Sequence, residues 1–476
     1  MRIAIGYPPL GDPRGHHQTG QNRQAQIFVH GAYIYPVVLA SAATMLKQAG
    51  HEVLWADGEA EEICWEVYKR NLIKFRPDII CWESKTPSVK GTWNRTRQLQ
   101  KDIPGCRFVL CGDHVTAIPE ETLSAAPGVY VIKGGDYDYS LFEFVGGNFN
   151  NRIIDIGTSS RLDNLPIPDR ALTKWKLYGY EKGSGNYKYL PGTHTYFGRD
   201  CWWRKDGGCT FCSWTNTFKN FRVVPVGRAI DEIIECDKLG IREVFDDTGT
   251  FPIGQWMEEF CEKIIVWRER SKSKIKLGCN MRPGALNKAQ YDLLGRAGFR
   301  FILYGLESAN QITLDRINKG QKPGDMESSL RLAKRAGLEP HVTCMAGYPW
   351  ETYEDARRTI SFTRDLFRQG LIDTLQATIV IPYPGTELFR QAKSNGWLTT
   401  EDWDQYDMRR PVMKIGYPEE DLLGLVRGIY KSCITPKFVL RKMFSIRSLD
   451  DMKFMLRAAK FMGGHLIDFG GNNIIH

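Results

Sequence analysis

Short apolar runs alternate with stretches of helical periodicity over the first 145 residues, the pattern of a parallel sheet covered by helices. The apolar runs predict five strands, at residues 2–7, 51–55, 77–82, 107–111 and 128–132. Helices predicted at residues 37–50, 61–75 and 90–102 connect them. Because the connections are short, we predict a Rossmann-like, doubly wound α/β domain over residues 1–145, with any ligand at the carboxyl ends of the strands.

The alternation returns over residues 191–400 with six strands, each followed by a helix. These strands are predicted at residues 194–197, 242–246, 274–279, 299–304, 339–345 and 373–381. Six units are too few for an eight-stranded barrel, so we predict an open (β/α)6 partial barrel with its functional groups at the carboxyl ends of the strands.

Two further segments complete the predicted organisation. Residues 146–190 have few periodic signals and many glycines, prolines and asparagines, which is typical of a linker. Residues 401–476 predict a helical extension with amphipathic helices at 419–434 and 448–462. The second of these carries basic residues beside aromatic and methionine side chains. We expect it to pack on the mouth of the barrel and close a substrate pocket, and contact with a membrane surface is the alternative.

Composition narrows the class of protein without naming its partner. Of 476 residues, 42% are hydrophobic and 25% are charged, as in ordinary soluble domains. The net charge of +9 is spread along the chain, and no nucleic-acid-binding motif accompanies it. No apolar run is long enough for a transmembrane segment and no signal peptide is evident. Twelve cysteines without a paired framework predict a cytoplasmic protein in a reducing compartment.

Three cysteines fall within twelve residues of the predicted barrel. Cys201, Cys209 and Cys212 follow its first strand, and Gly207-Gly208 suits a loop that wraps closely around an inorganic group. Three thiolates can hold three irons of a [4Fe–4S] cluster and leave the fourth iron open. A zinc site would need a fourth ligand at a matching spacing, which the neighbouring Cys and His residues do not supply.

This stretch resembles the cluster loop of the radical S-adenosylmethionine (SAM) enzymes, although the usual C-x3-C-x2-C spacing is here C-x7-C-x2-C. The resemblance continues in order along the predicted strand ends, as Gly305-Leu-Glu307-Ser308, Leu314 to Gly320, Gly347-Tyr-Pro349-Trp-Glu351-Thr352 and Pro382-Tyr-Pro-Gly-Thr386. It implies that SAM binds the open iron and is cleaved to a 5′-deoxyadenosyl radical.

The resemblance also implies which residues hold SAM. Asp247, with Asp246 as the second choice, would bind its amino group, and Arg282 its carboxylate. Glu307 and Ser308 would contact the ribose hydroxyls, while Gly347 and Pro349 would frame the adenine. An open alternative is that one of the two aspartates caps the helix beginning near Pro252.

The strand ends of the first domain resemble the cobalamin-binding domain that precedes many radical SAM domains. Its candidate cofactor-binding residues are Ser84, Thr86, Gly112, His114, Thr116, Gly134 and Gly135. The Asp-x-His-x-x-Gly motif that supplies a cobalt ligand elsewhere is absent, which implies cobalamin bound without a protein imidazole. We therefore expect His114 to make hydrogen bonds within its loop. A Rossmann-like module without cofactor is the alternative.

Together these features predict a cobalamin-dependent radical SAM enzyme that transfers a methyl group to an unactivated carbon. The alternatives are cyclisation, rearrangement or C–C coupling without net methylation, and radical SAM chemistry beside a vestigial cobalamin domain. A non-catalytic iron–sulfur carrier is disfavoured, because a carrier needs no SAM pocket. The expected partners are a small-molecule, tetrapyrrole or lipid substrate and an electron donor such as flavodoxin or ferredoxin.

Overall fold

The computed structural model describes residues 1–17, 27–147, 149–157, 162–180, 182, 186–433, 440, 444 and 446–468. Its strands are β1 Arg2–Tyr7, β2 His16–His17, β3 Ile27–Phe28, β4 Glu52–Asp57, β5 Ile79–Glu83, β6 Arg107–Cys111, β7 Tyr130–Ile132, β8 Ile153–Ile154, β9 Gly192–Thr195, β10 Gly198–Arg199, β11 Arg222–Val223, β12 Glu243–Asp246, β13 Lys276–Met281, β14 Phe299–Glu307, β15 Glu339–Ala346 and β16 Thr374–Ile379.

The helices of the described ranges are α1 Val37–Gln48, α2 Trp65–Phe75, α3 Val89–Asp102, α4 Asp113–Ala117, α5 Pro119–Ala125, α6 Tyr137–Gly146, α7 Lys176–Gly179, α8 Trp214–Thr217, α9 Val226–Lys238, α10 Gln255–Ser271, α11 Lys288–Ala297, α12 Gln311–Arg316, α13 Pro323–Arg335, α14 Tyr353–Arg368, α15 Glu387–Ser394, α16 Glu419–Cys433 and α17 Leu449–Asp468. None of them is long and apolar enough to cross a membrane.

The first domain is a parallel sheet with the strand order β4-β1-β5-β6-β7-β8. Strand β5 is buried along its whole length, as expected for a strand covered on both faces. The predicted doubly wound domain is confirmed. The sheet extends past residue 145, because Val131 and Ile132 of β7 pair with Ile153 and Ile154.

The segment predicted as a linker is packed rather than loose where it is described. The Tyr178 hydroxyl donates to Asp57 of β4 at 2.5 Å, and Lys47 of α1 pairs with Asp169 at 2.8 Å. On the other side, Arg170 is buried and pairs with Glu232 of α9 at 2.7 Å. Residues 162–180 therefore fasten the two α/β units to each other.

The second unit is a six-stranded parallel sheet in the order β16-β15-β14-β13-β12-β9. Apart from the inserted β10–β11 hairpin, neighbours in the sheet are consecutive in the chain, and the ends β9 and β16 do not pair with each other. The predicted (β/α)6 partial barrel is confirmed. At its open edge, Tyr430 of α16 accepts a bond from the Ala377 amide and donates one to the Ala377 carbonyl.

The helical extension is confirmed, but the position of its last helix differs from the prediction. Asp450 of α17 pairs with Arg242, which precedes β12, and Asp451 pairs with Lys188, which precedes β9. These contacts lie at the amino ends of the barrel strands. The expectation that this helix closes the mouth at the carboxyl ends is therefore wrong, since an amphipathic pattern predicts a buried face but not its partner.

Candidate active site

The cluster loop, which carries Cys201, Cys209 and Cys212, begins after β10. A short helical turn and two glycines separate its first two cysteines. Residues Trp202–Asp206 form a 3₁₀ helix, and Gly207 and Gly208 take φ values of 92° and 74°, which favour glycine. This turn accounts for the seven-residue gap between Cys201 and Cys209, because the extra residues form a folded turn instead of spreading the cysteines apart.

The three thiols share one half-buried site. Burial raises the pKa of Cys212, and the nearby thiols of Cys209 and Cys201 raise it further. Burial likewise raises the pKa of Cys201, whose Sγ lies 3.1 Å from the Thr250 hydroxyl. Binding of a metal cluster would displace the protons of these thiols, because cysteine ligates metals as the thiolate.

A strap formed by residues 317–320, just after α12, holds this loop. The side chain of Asn318 donates to the carbonyls of Asp206 at 2.7 Å and Gly208 at 2.8 Å. In return, the Trp203 indole donates to the Asn318 carbonyl at 2.8 Å. These bonds fix the path of the chain between the first and second cysteines.

Gly320 leaves room for the Trp203 ring to pack against the strap. A Cβ on this glycine would lie 2.0 Å from the indole, at a φ of +59°. We expect Gly320→Ala to displace Trp203 and to lower the iron content after anaerobic reconstitution several-fold. Gly240→Ala is the control, because its φ of +77° brings the same strain of about 1 kcal/mol without any atom within 4 Å. Equal iron contents in the two variants would contradict this role.

Arg282, at the end of β13, is buried against the cluster loop. Its guanidinium lies 4.2 Å from the ring centre of Trp203 and 5.6 Å from that of Trp202. One nitrogen is 3.8 Å from Cys209 Sγ, and another donates to the Lys319 carbonyl. Arg282 thus connects the end of β13 to both the cluster loop and the strap. Binding of the SAM carboxylate by Arg282 stays a prediction.

The two aspartates after β12 have different partners. Asp246 accepts bonds from the Phe197 amide at 2.8 Å and the Thr195 hydroxyl at 3.2 Å, and burial raises its pKa to about 7. Asp247 accepts a bond from the Asn280 side chain at 3.0 Å. The helix-cap alternative is wrong, since α10 has Gly254 at its N-cap and no side-chain cap bond. Binding of the SAM amino group stays a prediction for both.

The end of β14 supplies a buried ion pair that sequence inspection did not assign. Glu307, at a φ of 63°, accepts a bond from Lys319 at 2.8 Å. Lys319 belongs to the strap, so the pair connects the strand end to the cluster loop. The signal in the sequence was the typical Asn-Lys-Gly320 stretch, to which no role was given.

Ser308 is held by the neighbouring strand end. Its hydroxyl donates to Glu351 at 3.1 Å, and Glu351 also accepts a bond from Thr313 at 2.7 Å. Gly347 directly follows β15 at a φ of 95° and precedes Tyr348 and Pro349. The structure thus brings together the motifs containing Ser308 and Gly347, and their contacts with ribose and adenine stay predictions.

The carboxyl edge of the first sheet contains a buried charged cluster. The Lys85 ammonium lies 3.0 Å from Glu83 and 3.5 Å from Asp113, and Tyr7 donates to Glu83. Beside them, the buried hydroxyl of Ser84 has no hydrogen-bond partner among the described residues. Gly112 approaches the Ser84 carbonyl so closely that a Cβ would lie 2.4 Å from it. Hydrogen-bond donors, hydrogen-bond acceptors and backbone without a side chain therefore lie together at the carboxyl edge of the first sheet.

The remaining candidates at this edge bond to one another. His114 is buried, its Nδ1 is 3.2 Å from the Thr86 hydroxyl, and its ring meets that of Trp403 at 5.2 Å. The hydroxyl of Thr116 donates to the Gly112 carbonyl and accepts from the Gly134 amide. The His114 ring thus bonds to the neighbouring loop after β5, 28 residues away in the chain, and not within its own loop.

The first domain touches the chain on both sides of the cysteines. The Gly135 amide donates to the Thr217 carbonyl at 2.8 Å, and a Cβ on Gly135 would collide with the Phe218 ring. Arg199, two residues before Cys201, forms a fully buried ion pair with Asp138 at 2.7 Å. Sequence inspection missed this pair, because residues 61 positions apart show no local pattern.

No three His, Cys, Asp or Glu side chains within the described ranges converge on a single metal-ion position. Cys201, Cys209 and Cys212 are nevertheless close enough for the thiols of Cys209 and Cys201 to raise the pKa of Cys212. This arrangement suits a cluster of several irons.

The part of the chain that carries the three cysteines matches a known family model. Residues 195–363 match the model of the Radical SAM superfamily. Over 434 residues the chain is 28% identical to an uncharacterized methyltransferase of Pyrococcus horikoshii, covering 86% of this chain and 90% of that protein. It is 24% identical over 405 residues to the anaerobic magnesium-protoporphyrin IX monomethyl ester cyclase of Cereibacter sphaeroides, covering 80% of this chain but only 63% of that enzyme.

The fold has a counterpart among solved structures. It matches the radical SAM methyltransferase TsrM from Kitasatospora setae, solved with cobalamin and a [4Fe-4S] cluster bound, with a TM-score of 0.65 and 14% identity, over 97% of this chain and 99% of that one. The family model and the three cysteines agree on the same part of the chain. Residues 195–363 therefore form a radical SAM domain, in a chain built from a Rossmann-like domain, a (β/α)6 partial barrel and a helical extension.

Proposed function

We propose that this enzyme transfers a methyl group to an unactivated carbon of a small-molecule, tetrapyrrole or lipid substrate, using a [4Fe–4S] cluster, SAM and cobalamin. Support comes from the methyltransferase relative that matches the chain over most of its length, and from the contact between the two predicted cofactor edges. When bound, the cluster supplies the electron that cleaves SAM, and the corrinoid supplies the methyl group.

The cluster would be held by Cys201, Cys209 and Cys212. The loop keeps these thiols half-buried, and Arg282 places a positive charge beside Cys209. The Trp203 ring covers that guanidinium, which is buried. In this proposal Asp247, or Asp246, holds the SAM amino group, and Arg282 has a second task at the SAM carboxylate. Lys319, fixed by Glu307, is a further cation close to that position.

The corrinoid would lie on the carboxyl edge of the first sheet. Its amide side chains need both donors and acceptors, and the edge offers the Ser84 hydroxyl together with the buried cluster of Glu83, Lys85 and Asp113. His114 is enclosed by Trp403 and Trp93, which favours cobalamin bound without a protein imidazole. Gly112 lets the backbone approach the ligand closely.

One observation carries the proposal beyond radical SAM chemistry in general. The Asp138–Arg199 ion pair and the Gly135–Thr217 hydrogen bond join the edge of the first sheet to the cluster loop at two points. A vestigial domain would not need a fully buried ion pair two residues from a cluster ligand, because such a pair is costly to desolvate. The buried pair is explained if the carboxyl edge of the first sheet and the cluster loop act together in the reaction.

The test is anaerobic incubation of the reconstituted protein with a chemical reductant, cobalamin and SAM that carries a deuterated methyl group. We expect S-adenosylhomocysteine together with the deuterated methyl group on the corrinoid, and 5′-deoxyadenosine as the second product of SAM. The matched control is Cys209→Ala, which should lose 5′-deoxyadenosine. In this scheme a flavodoxin or ferredoxin of the cytoplasm replaces the chemical reductant.

The cyclase relative favours a second candidate, ring formation or other radical chemistry without net methylation. Formation of 5′-deoxyadenosine without S-adenosylhomocysteine, and without label on the corrinoid, would overturn methyl transfer and support this candidate. Absence of both products would overturn both.

A further inference from the structure

The last helix, α17, presents one face to the barrel and the other to solvent. The barrel face is anchored by Asp450 to Arg242 and by Asp451 to Lys188, both at 2.6 Å. Arg457 adds a bond to the Tyr187 carbonyl at 2.8 Å. This face therefore has its partners, at the amino ends of the barrel strands.

The solvent face is apolar. Leu449, Met452 and Leu456 follow one another at helical spacing and are 69%, 45% and 68% exposed. The stripe continues toward the amino terminus, where Ile446 is 38% and Phe444 is 85% exposed. Large apolar side chains scattered singly over a surface are ordinary, but a contiguous stripe marks an interaction site.

The charges on this face have one sign. Lys453 and Lys460 are exposed within the stripe, and Arg447 is exposed just before it. The acidic residues of the helix whose side chains are described, Asp450 and Asp451, point instead to the barrel cations. The described acidic side chains of the helix thus face the barrel, while Lys453, Lys460 and the apolar stripe face solvent.

We propose that α17 is a peripheral anchor on an anionic lipid bilayer, lying in the interface with its apolar stripe inserted and its lysines at the headgroups. A helix of this composition binds such surfaces by apolar burial plus attraction to anionic lipids. A symmetric pairing of two copies would oppose like charges, since both copies would present the same cationic face. This inference is independent of the proposed methyl transfer.

The position of the anchor fixes the orientation of the enzyme. The amino-terminal half of the helix, which carries Leu449, Met452 and Leu456, is at the amino ends of the barrel strands, whereas the cysteines and the other strand-end motifs are at the carboxyl ends. Farther along the helix, Phe461 packs on His30 of the first domain. The bound enzyme therefore turns its active site away from the lipid surface. The helix acts as a tether and not as an entrance for substrate.

The test is cosedimentation of the full-length, anaerobically purified protein with vesicles of phosphatidylcholine alone or mixed equally with phosphatidylglycerol. We expect binding to the anionic vesicles only, weakened by salt. Lys453→Gln should reduce the apparent affinity about five-fold, and Leu456→Ser about ten-fold. The control is Ile312→Ser on α12, which removes a side chain that is 72% exposed elsewhere.

Three outcomes would overturn the anchor. The first is wild-type protein that stays in the supernatant with anionic vesicles. The second is Ile312→Ser that loses as much binding as Leu456→Ser. The third is a dimer in solution that Leu456→Ser dissociates while vesicle binding is absent, which would make the face a contact between copies. Far-UV circular dichroism of each variant separates these results from loss of fold.

Discussion

Replacing Cys209 with alanine is expected to abolish the cluster and with it the cleavage of SAM. Two thiols remain at a site built for three, and Arg282 loses the sulfur atom at 3.8 Å that its charge faces. Iron content and visible absorption after anaerobic reconstitution should fall to those of a protein without a cluster. Formation of 5′-deoxyadenosine with a chemical reductant should fall to the enzyme-free background.

The matched control for this variant is Cys64→Ala, which removes an exposed thiol from the first domain. It should keep the iron content and the 5′-deoxyadenosine yield of the parent protein. A Cys209→Ala variant that retains a full cluster would show that the ligand set is wrong. The thermal unfolding midpoints of both variants, measured without the cluster, are expected to match that of the parent protein and so exclude damage to the fold.

Asp138→Ala is expected to cause the largest loss of stability. The side chains of Asp138 and Arg199 are fully buried and lie 2.7 Å apart, so the variant removes the carboxylate that directly bonds a buried guanidinium. Breaking a buried pair in this way costs about 3–5 kcal/mol. We expect a lower denaturation midpoint, and weaker reconstitution of the cluster, because Arg199 precedes Cys201 by two residues.

Two further variants separate the unpaired charge from the lost contact. The double replacement of Asp138 by leucine and Arg199 by methionine should recover much of the stability, since no buried charge is left alone. Glu387→Gln, which breaks an exposed pair with Arg390, should leave the midpoint unchanged within error. A midpoint for Asp138→Ala equal to that of the parent would contradict the assigned role of the pair.

The two sheets could be predicted because their strands are locally distinctive. Strand β5 is buried on both faces, so its sequence is apolar from Ile79 to Trp82. Strand β8 was not predicted, because a strand of two residues is too short to show a hydrophobic period. The end of β14 was placed too early, at residue 304, since pairing continues to Glu307 through an irregular register that sequence periodicity does not reveal.

The cluster loop could be predicted for a different reason, namely that its ligands are close in sequence. The supports of the loop could not, because Asn318 bonds to Asp206 across 112 residues. The same limit applies to Arg282, whose contact with Cys209 depends on how β13 meets the loop. The predicted position of α17 was wrong, because an amphipathic pattern predicts a buried and an exposed face but does not say which part of the protein the helix contacts.

The central claim is that one chain brings a [4Fe–4S] cluster and a corrinoid together. The most direct measurement is the iron and corrinoid content of protein reconstituted anaerobically with iron, sulfide and hydroxocobalamin and then freed of unbound cofactor. We predict about four irons and about one corrinoid per chain, with corrinoid retained by Cys209→Ala while its iron is lost. Iron without corrinoid would contradict the account and leave the radical chemistry to the SAM site alone.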